Sequence, residues 1–263
     1  MNLQQNPFLY PTLYVFTLYG LRYLAMASLT WLFARPTPRG GWGRPHAHVP
    51  AAFNARRHIG RELVFSVLSL AIFGMVNGVL WSTGALKHSL IYLHFKDYPA
   101  WWFVLSIPAM VLLHDSFFYW AHRAMHTRWL YARVHRLHHQ SVHPTAFAAY
   151  SFHPWEALVE ALITVPMLFI IPSHPLAILI FQTFSTAYNV YGHCGREFYG
   201  PGMAWHPIGR WINTSTSHAT HHLRGHHNYS FYFLFWDRWM GTLAPETPAP
   251  ASAPCGACLV KKR

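Results

Sequence analysis

The stretch AWWFVLSIPAMVLLHDSFFYWAHRAMH, residues 100–126, decides the fold. Residues 100–121 are almost wholly apolar, and a helix needs about 20 mainly apolar residues to cross a bilayer, so they are predicted to form one membrane span. The stretch then ends in an HxxxH pattern formed by His122 and His126. Side chains four residues apart lie on the same face of a helix, so both imidazoles are expected to project together from the end of this span.

Three further apolar stretches lie at residues 10–34, 63–81 and 155–191. The last is too long for one span and is interrupted by the sequence PSHP at 172–175, where proline lacks an amide donor and disfavours helix in the residue before it. A tight hairpin of two helices is therefore predicted there, which gives four or five spans. The N-terminal residues lack the basic region and cleavage site of a signal peptide, so the first stretch is expected to be retained as a span.

The composition supports a membrane protein. Of the 263 residues, 52% are hydrophobic and only 11% are charged, against roughly 25% charged residues in an ordinary soluble domain. The formal net charge of +12 is compatible with anionic lipid headgroups or an acidic protein partner, and the hydropathy argues against nucleic acid. Three cysteines are too few for a disulfide framework and indicate a reducing compartment. Two of them, Cys255 and Cys258, lie in a Pro/Ala-rich tail that is expected to be disordered.

The distribution of Arg and Lys predicts the orientation in the membrane, because cytoplasmic flanks carry the excess of positive charge. The segments 35–61, 123–136 and 196–263 are basic, whereas the loop 82–99 contains only two lysines. The first three are therefore expected to share the cytoplasmic side, and every dense histidine cluster falls within or beside them. These patterns predict an all-α fold, an integral membrane helical bundle of four or five spans with a cytoplasmic histidine-rich helical cap.

The chain has 21 histidines, and those most informative for function recur at helical spacing. HxxHH occurs at 135–139 and again at 218–222, and His193 closes the predicted hairpin four residues after Asn189. Each motif is expected to present its imidazoles to one point, as half of a metal cage. With the HxxxH motif they supply nine imidazoles: His122, His126, His135, His138, His139, His193, His218, His221 and His222. Nine exceed the needs of one four-coordinate zinc, so two metal ions are predicted, and imidazole suits Fe, Zn, Cu and Ni alike.

The absence of other motifs narrows the possible metal chemistry. The sequence contains neither the Glu-x-x-His pattern of ferritin-like di-iron carboxylate bundles nor the HExxH pattern of zinc proteases. The predicted site is therefore mostly nitrogen. A single HxxxH motif arises easily by chance in a histidine-rich chain, whereas three motifs in order on one predicted side are a strong signal.

The order HxxxH, HxxHH, HxxHH resembles the fatty acid hydroxylase and sterol desaturase superfamily of membrane di-iron enzymes, from about His114 to Thr242. The stretches HDSFFYWAHRAMH, HRLHHQSVHPTAFAAYSFHPWEALVE and HHLRGHHNYSFYFLFWDRWMGT are most similar to the sterol C-5 desaturase branch. The resemblance implies that the nine imidazoles bind two Fe ions in a non-haem di-iron site. It also implies that Asn189 holds a water near one metal. Three residues, Ser217, Thr220 and Ser230, depart from the pattern, which affects the substrate assignment more than the chemistry.

Three carboxylates lie close in sequence to the predicted metal-binding segments. Asp115 lies seven residues before His122, two helical turns along the same face, and a carboxylate inside a span is costly, so it is predicted to orient a ligand imidazole. Glu156, in the sequence HPWE, is a similar candidate. Asp237 is expected to pair with Arg238 or another basic residue.

The predicted function is a membrane oxidoreductase that uses O2 and external electrons to desaturate or hydroxylate a C–H bond of a lipid in the bilayer, a sterol-like one by resemblance. The chain has no nucleotide-binding fingerprint of its own, so the electrons are expected from a donor such as a cytochrome b5 or a ferredoxin with its reductase, docked on the arginine-rich face. The expected membrane is the bacterial inner membrane or the endoplasmic reticulum. The alternatives are a fatty acyl, alkylglycerol or carotenoid hydroxylase and, as a non-enzyme, a haem or metal-handling membrane protein.

The predicted domain organisation has three parts. Residues 1–99 hold N-terminal spans and the basic loop, residues 100–244 form the di-iron domain, and residues 245–263 form the tail.

Overall fold

The computed structural model describes residues 6–34, 43–46, 56–200, 202–203 and 206–245. The predicted disordered tail with Cys255 and Cys258 and most of the basic loop 35–61 lie outside these residues. The described part is mainly helical, as predicted. It also contains one short antiparallel strand pair that the sequence analysis did not anticipate, in which β1 (Arg44–Pro45) pairs with β2 (Arg196–Glu197).

Three long helices form the body of the protein. They are α1 (Leu9–Ala34), α2 (Arg56–Ser82) and α3 (Ala100–Met125). Helices α1 and α2 pack closely because α2 has glycine where it faces α1. A Cβ atom at Gly74 would lie 2.6 Å from the carbonyl oxygen of Thr12, so only glycine allows this close approach of the two backbones.

The fourth apolar stretch forms a broken hairpin. It consists of α6 (Pro154–Thr164), α7 (Met167–Ile170) and α8 (Pro175–His193). A proline at the first position of a helix loses no hydrogen bond, so Pro154 and Pro175 start helices, and the preceding histidines cap both N-termini. Helix α6 has only 11 residues, about 17 Å, which is shorter than a bilayer-spanning helix.

Among the described residues, two helices are long and apolar enough to cross a membrane, namely Arg56–Ser82 and Ala100–Met125. The prediction of four or five spans therefore remains a prediction. Large apolar side chains are exposed along the long helices, for example Leu21, Val64 and Val104, each 66% exposed. Exposed apolar surface on this scale is unusual for a soluble monomer and marks a surface that contacts lipid or protein.

Several short elements follow α3 and carry the histidine motifs. Helix α4 (Arg128–Leu130) continues into a π-helical turn, Tyr131–His135, and then into α5 (Arg136–His139). Further along the chain lie a 3₁₀ helix, Ala146–Tyr150, and helices α9 (Ser215–Arg224) and α10 (Phe235–Trp239). These elements lie at the α3 end that carries His122 and His126.

Buried hydrogen bonds fix the short elements to the long helices. The hydroxyl of Tyr23 on α1 donates to the carbonyl of Phe147 at 2.7 Å, and Ser66 on α2 donates to the same carbonyl at 3.1 Å. The buried carboxylate of Glu62 on α2 accepts from the hydroxyls of Ser141 and Thr145. The segment after the second histidine motif is therefore anchored to the helical body by buried hydrogen bonds, which are stronger in the protein interior than in water.

Candidate metal centre

The structure brings all nine predicted imidazoles together in two adjacent groups. The first group consists of His122, His126, His135, His139 and His221, and the second consists of His138, His193, His218 and His222. Within each group, one potential ligand nitrogen of every residue lies within 4.8 Å of the others. The histidines come from α3, the π-helical turn and α5, α8 and α9, so four separate parts of the chain converge on one place.

The split between the groups differs from the expectation that each motif points to one centre. In both HxxHH motifs the first and last histidines, four residues apart, share a group, whereas the middle one joins the other group. The reason is helical geometry, because positions i and i+4 differ by about 40° around the helix axis while i+3 and i+4 differ by about 100°. Each HxxHH motif therefore contributes to both groups.

The nitrogen separations fit ligands arranged around single ions. In the first group, Nε2 of His135 lies 3.0 Å from Nε2 of His122 and 3.1 Å from that of His139. In the second, Nε2 of His193 lies 3.0 Å from that of His218 and 3.3 Å from that of His222. Metal–imidazole bonds of about 2.0–2.1 Å place neighbouring ligand nitrogens about 3 Å apart, so both groups match the spacing around a metal ion.

In three of the imidazoles a backbone carbonyl oxygen holds the outward-facing ring nitrogen, which fixes the tautomer. Nδ1 lies 2.7 Å from the carbonyl oxygen of Tyr229 in His122, 2.8 Å from that of Asn189 in His193 and 2.6 Å from that of His227 in His221. A carbonyl oxygen can only accept, so each Nδ1 carries the proton and donates. The Nε2 lone pair then points into the group, which is the form that binds a metal.

Among the nine imidazoles, Nε2 of His126 and Nδ1 of His222 are buried ring nitrogens without a hydrogen-bond partner in the described part of the chain. Buried polar atoms are rarely left unpaired, so such an atom marks a place where a ligand or ion could bind. The all-nitrogen donor set, its spacing and the orphan Nε2 of His126 fit a pair of transition-metal ions. Imidazole alone does not select iron over zinc or copper.

The imidazoles outside the long helices are held neutral. Burial lowers the pKa of His218, His221 and His222 well below 6.5, and neighbouring imidazoles lower it further. Burial also lowers the pKa of His139, to about 4. Neutral imidazole is the metal-binding form, so the site is electrostatically prepared for cations at neutral pH.

Glu156 lies where the sequence analysis placed a ligand-orienting carboxylate. Its Oε1 atom is 2.7 Å from Nδ1 of His135, and both side chains are buried. Glu156 is in the first turn of α6, so this short helix directs a carboxylate at the first imidazole group. A carboxylate behind a ligand imidazole makes that ligand more basic and fixes its orientation.

Asp115 occupies a different place from the one predicted. Instead of contacting an imidazole, its Oδ1 accepts from the backbone N–H groups of Tyr232 at 2.6 Å and Phe231 at 3.1 Å. It therefore holds the segment after α9, whose Tyr229 carbonyl in turn binds His122. Two helical turns separate Asp115 from His122 along α3, and the segment 229–233 packs against both positions.

Asp237 also differs from its expected pairing. It accepts from the backbone N–H groups of Tyr229 and Ser230, both at 2.9 Å, whereas Arg238 donates to the carbonyl of Arg210. Two buried carboxylates thus fix the segment that carries the Tyr229 carbonyl. The sequence does not reveal this arrangement, because the donors are backbone N–H groups, which leave no residue signature.

Asn189 lies beside the second group. Its Nδ2 atom donates to the carbonyl of Ala149 at 2.6 Å, its Oδ1 atom receives no hydrogen bond from the residues that the structure describes, and the residue lines a cavity next to His193. His153, near Glu156 in sequence, caps α6 by accepting from the N–H of Trp155.

A cavity extends from the imidazoles into the helical body. Five of the nine histidines line it, namely His122, His135, His138, His193 and His218. Its other walls are largely apolar and aromatic, formed by residues such as Phe73, Phe118, Phe152, Phe181 and Phe231. The cavity lining thus presents apolar surface next to both metal-binding groups, which favours contact with an apolar molecule.

Comparison with known proteins identifies the family. The family model for fatty acid hydroxylases matches residues 107–242, which contain all nine imidazoles. The chain belongs to the fatty acid hydroxylase family. No solved structure matches it at a significant level.

Curated members of the family with similar sequences are named for sterol oxidation. Lathosterol oxidase of Mus musculus is 30% identical over 189 residues, which cover 71% of this chain and 62% of the relative. A Delta(7)-sterol 5(6)-desaturase of Gibberella zeae is 27% identical over 234 residues, covering 88% of this chain and 62% of the relative. The chain thus spans less than two thirds of the length of these two relatives.

Proposed function

We propose that this chain is a membrane oxidoreductase that binds two non-haem iron ions through its nine imidazoles and oxidises a C–H bond of a lipid. The observation that carries the proposal is the pair of all-imidazole groups at the end of an apolar cavity. Bound iron would supply the activation of dioxygen, because no side chain is a strong enough oxidant for an unactivated C–H bond. The family match and the names of the relatives support this reading.

The protein's own residues prepare the site in three ways. The outer acceptors, such as Glu156 behind His135 and the Tyr229 carbonyl behind His122, hold the rings in one orientation. The Oδ1 atom of Asn189 can accept from a water molecule beside the second group. The aromatic walls exclude bulk water and hold an apolar substrate close to the imidazoles.

The substrate we propose is a sterol-like lipid, because the relatives are named for Delta(7)-sterols and lathosterol. Desaturation removes two hydrogens from neighbouring carbons, whereas hydroxylation replaces one hydrogen with a hydroxyl group, and both begin by breaking a C–H bond. An apolar lining also suits contact with a fatty acyl, alkylglycerol or carotenoid chain, for which hydroxylation would be the outcome.

The membrane placement is part of the proposal. Helices Arg56–Ser82 and Ala100–Met125 would cross the bilayer, with the histidine groups on the cytoplasmic side and the cavity open to lipid. A substrate could then move from the bilayer to the imidazoles without entering water. This arrangement suits the inner membrane of a bacterium or the endoplasmic reticulum.

Each turnover needs two electrons from outside the chain. Arg128, Arg133 and Arg136 are exposed around the π-helical turn that carries His135, so the outer surface of the metal-binding segment is positively charged. We propose that an acidic electron carrier, such as a cytochrome b5 or a ferredoxin with its reductase, docks there. Such docking would place the electron donor close to His135, a member of the first imidazole group.

Metal analysis combined with lipid profiling tests the proposal. The protein is produced in membranes, purified in detergent and analysed for metal content, and the lipids of the producing cells are compared by mass spectrometry. We expect two irons per chain and a new desaturated or hydroxylated lipid in wild type, and about one iron per chain and no new lipid in His138→Ala. The matched control is His88→Ala, because His88 is exposed and lies outside both groups. Haem absorbance, a single metal per chain or an unchanged lipid profile in wild type would contradict the proposal.

A further inference from the structure

The cavity has a polar feature away from the histidines. Helix α6 lines it with Glu156 and, one helical turn later, with Glu160, while α8 lines it with Gln182. The four residues from Glu156 to Glu160 correspond to a rise of about 6 Å along the helix. Glu156 is used in holding His135, whereas Glu160 has no role in the metal site described above.

Glu160 is unusual among the acidic residues of this protein. Seven of the eight acidic residues fall in the described part of the chain, and six of these have carboxylates that accept at least one hydrogen bond: Glu62, Asp97, Asp115, Glu156, Glu197 and Asp237. Within that part, the carboxylate of Glu160 has neither a hydrogen bond nor an ion pair, whereas Glu156 on the same helix pairs with His135.

A basic residue lies in the same region but does not pair with Glu160. The guanidinium of Arg22 on α1 lies 4.3 Å from the ring centroid of Tyr19, which is on the cavity wall. The fold therefore holds a half-buried carboxyl group on the cavity wall that receives no hydrogen bond from the described residues, and such a group in a membrane protein commonly marks a function.

We propose that Glu160 accepts a hydrogen bond from a hydroxyl group of the lipid substrate and thereby selects the carbon that faces the imidazoles. This inference rests on the proposed lipid oxidation. A hydroxyl offers one donor and two acceptor positions, and the side-chain amide of Gln182, which has no hydrogen bond within the described chain, supplies a donor on the wall formed by α8. The carboxyl oxygen accepts whether the group is charged or neutral.

The chemistry of a sterol is compatible with this placement. In a 3-hydroxysterol only one ring position separates C3, which carries the hydroxyl, from C5. A polar contact one helical turn beyond Glu156 would therefore hold the hydroxyl near the metal end of the cavity while the long apolar remainder fills the aromatic part. A lipid with its hydroxyl far from the oxidised carbon would not place both groups correctly.

The test compares lathosterol with its 3-O-methyl ether, which cannot donate a hydrogen bond. Both are presented to membranes containing the full chain, and conversion and binding of the tritiated sterols are measured. We expect wild type to favour lathosterol by about tenfold or more in kcat/KM, chiefly through KM. Glu160→Leu should reduce this preference to about threefold or less, while Glu160→Gln, whose amide oxygen still accepts, should retain more of it.

Three measurements keep the test decisive. Glu160→Leu should still hold two irons, which separates loss of recognition from loss of the metal site. Leu162→Ala, at an exposed position on the same helix, should keep the full preference for lathosterol. If Glu160→Leu is not recovered from membranes, the preference of Glu160→Gln for lathosterol is compared with that of wild type instead. Equal kcat/KM of wild type for the two sterols would overturn the inference.

The two proposals fail in different ways. If wild type converts lathosterol but Glu160→Leu keeps the full preference, the role of Glu160 is wrong and lipid oxidation stands. If wild type converts neither sterol yet binds lathosterol more tightly than the ether, and Glu160→Leu removes that difference, hydroxyl recognition stands and sterol oxidation is wrong.

Discussion

Nδ1 of His135 lies 2.7 Å from Oε1 of Glu156, and the two side chains are 2% and 1% exposed. This contact joins the second histidine motif to the start of α6, a helix too short to span a bilayer. Helix α6 therefore supports the metal site. Its first turn holds a ligand imidazole, and its second turn lines the cavity.

Replacing Glu156 with alanine should weaken metal binding at the first group. Loss of a carboxylate behind a ligand imidazole typically lowers metal affinity by about 10–100-fold. Glu156→Gln keeps an oxygen acceptor and should lose less. Iron retention against a chelator, measured on purified protein, checks this. The control is Glu160→Gln, one turn away, which should retain iron like wild type, and equal retention in wild type and Glu156→Ala would contradict the assigned role.

Adjacent histidines on α9 should affect different metal ions. His221 belongs to the first group and His222 to the second. We expect His221→Ala and His222→Ala each to leave about one iron per chain, and the double variant to leave none. Metal analysis and Mössbauer spectroscopy should show two different residual iron signals. If both single variants gave the same residual signal, the division into two groups would be wrong.

The spacing of histidines predicted which side chains meet, because residues at i and i+4 must share a helix face. It did not predict that each HxxHH motif divides between the two groups, since this depends on where a second group of ligands approaches the helix. Glu156 was predicted to orient a ligand imidazole, but the sequence did not indicate that this imidazole is His135. Asp115 was misplaced because its partners are backbone amides of residues 231–233, which sequence patterns do not reveal.

The membrane organisation was harder to predict than the site. The long apolar stretch 155–191 contains enough residues for two spans, yet its first half forms an 11-residue helix and a short turn. Hydropathy measures how apolar a segment is, whereas Pro166 and the PSHP segment determine how it breaks. The strand pair Arg44–Pro45 with Arg196–Glu197 has too few residues to give a periodic signal.

Removing the Asp115 carboxylate should destabilise the protein more than it changes iron chemistry. Asp115→Ala would leave the buried N–H groups of Phe231 and Tyr232 without their acceptor, and each unpaired buried group costs about 1–3 kcal/mol. We expect a lower midpoint of thermal unfolding in detergent and faster proteolysis near residues 229–233. Asp115→Asn keeps an acceptor oxygen and serves as the matched variant. A wild-type midpoint for Asp115→Ala would show that these bonds contribute little.

Acidification should destabilise the metal-free protein in a defined pH range. Burial lowers the pKa of His139 to about 4, against about 6.5 for an unfolded histidine. Between these values the unfolded chain binds the proton and the folded chain does not, so this contribution to stability is complete above about pH 6.5 and is lost as the pH falls toward 4.

The thermal midpoint of the metal-free protein should therefore fall on titration from pH 7.5 to 4.5, and iron should shift the onset of the fall to lower pH because protons and metal compete for the same nitrogens. The matched variant is His139→Gln, which removes one of the titrating imidazoles and should flatten the dependence relative to the metal-free wild type. His88→Ala, which changes an exposed histidine, should leave it unaltered. A midpoint that rises or stays constant on acidification would mean that the buried imidazoles are not held neutral by the fold.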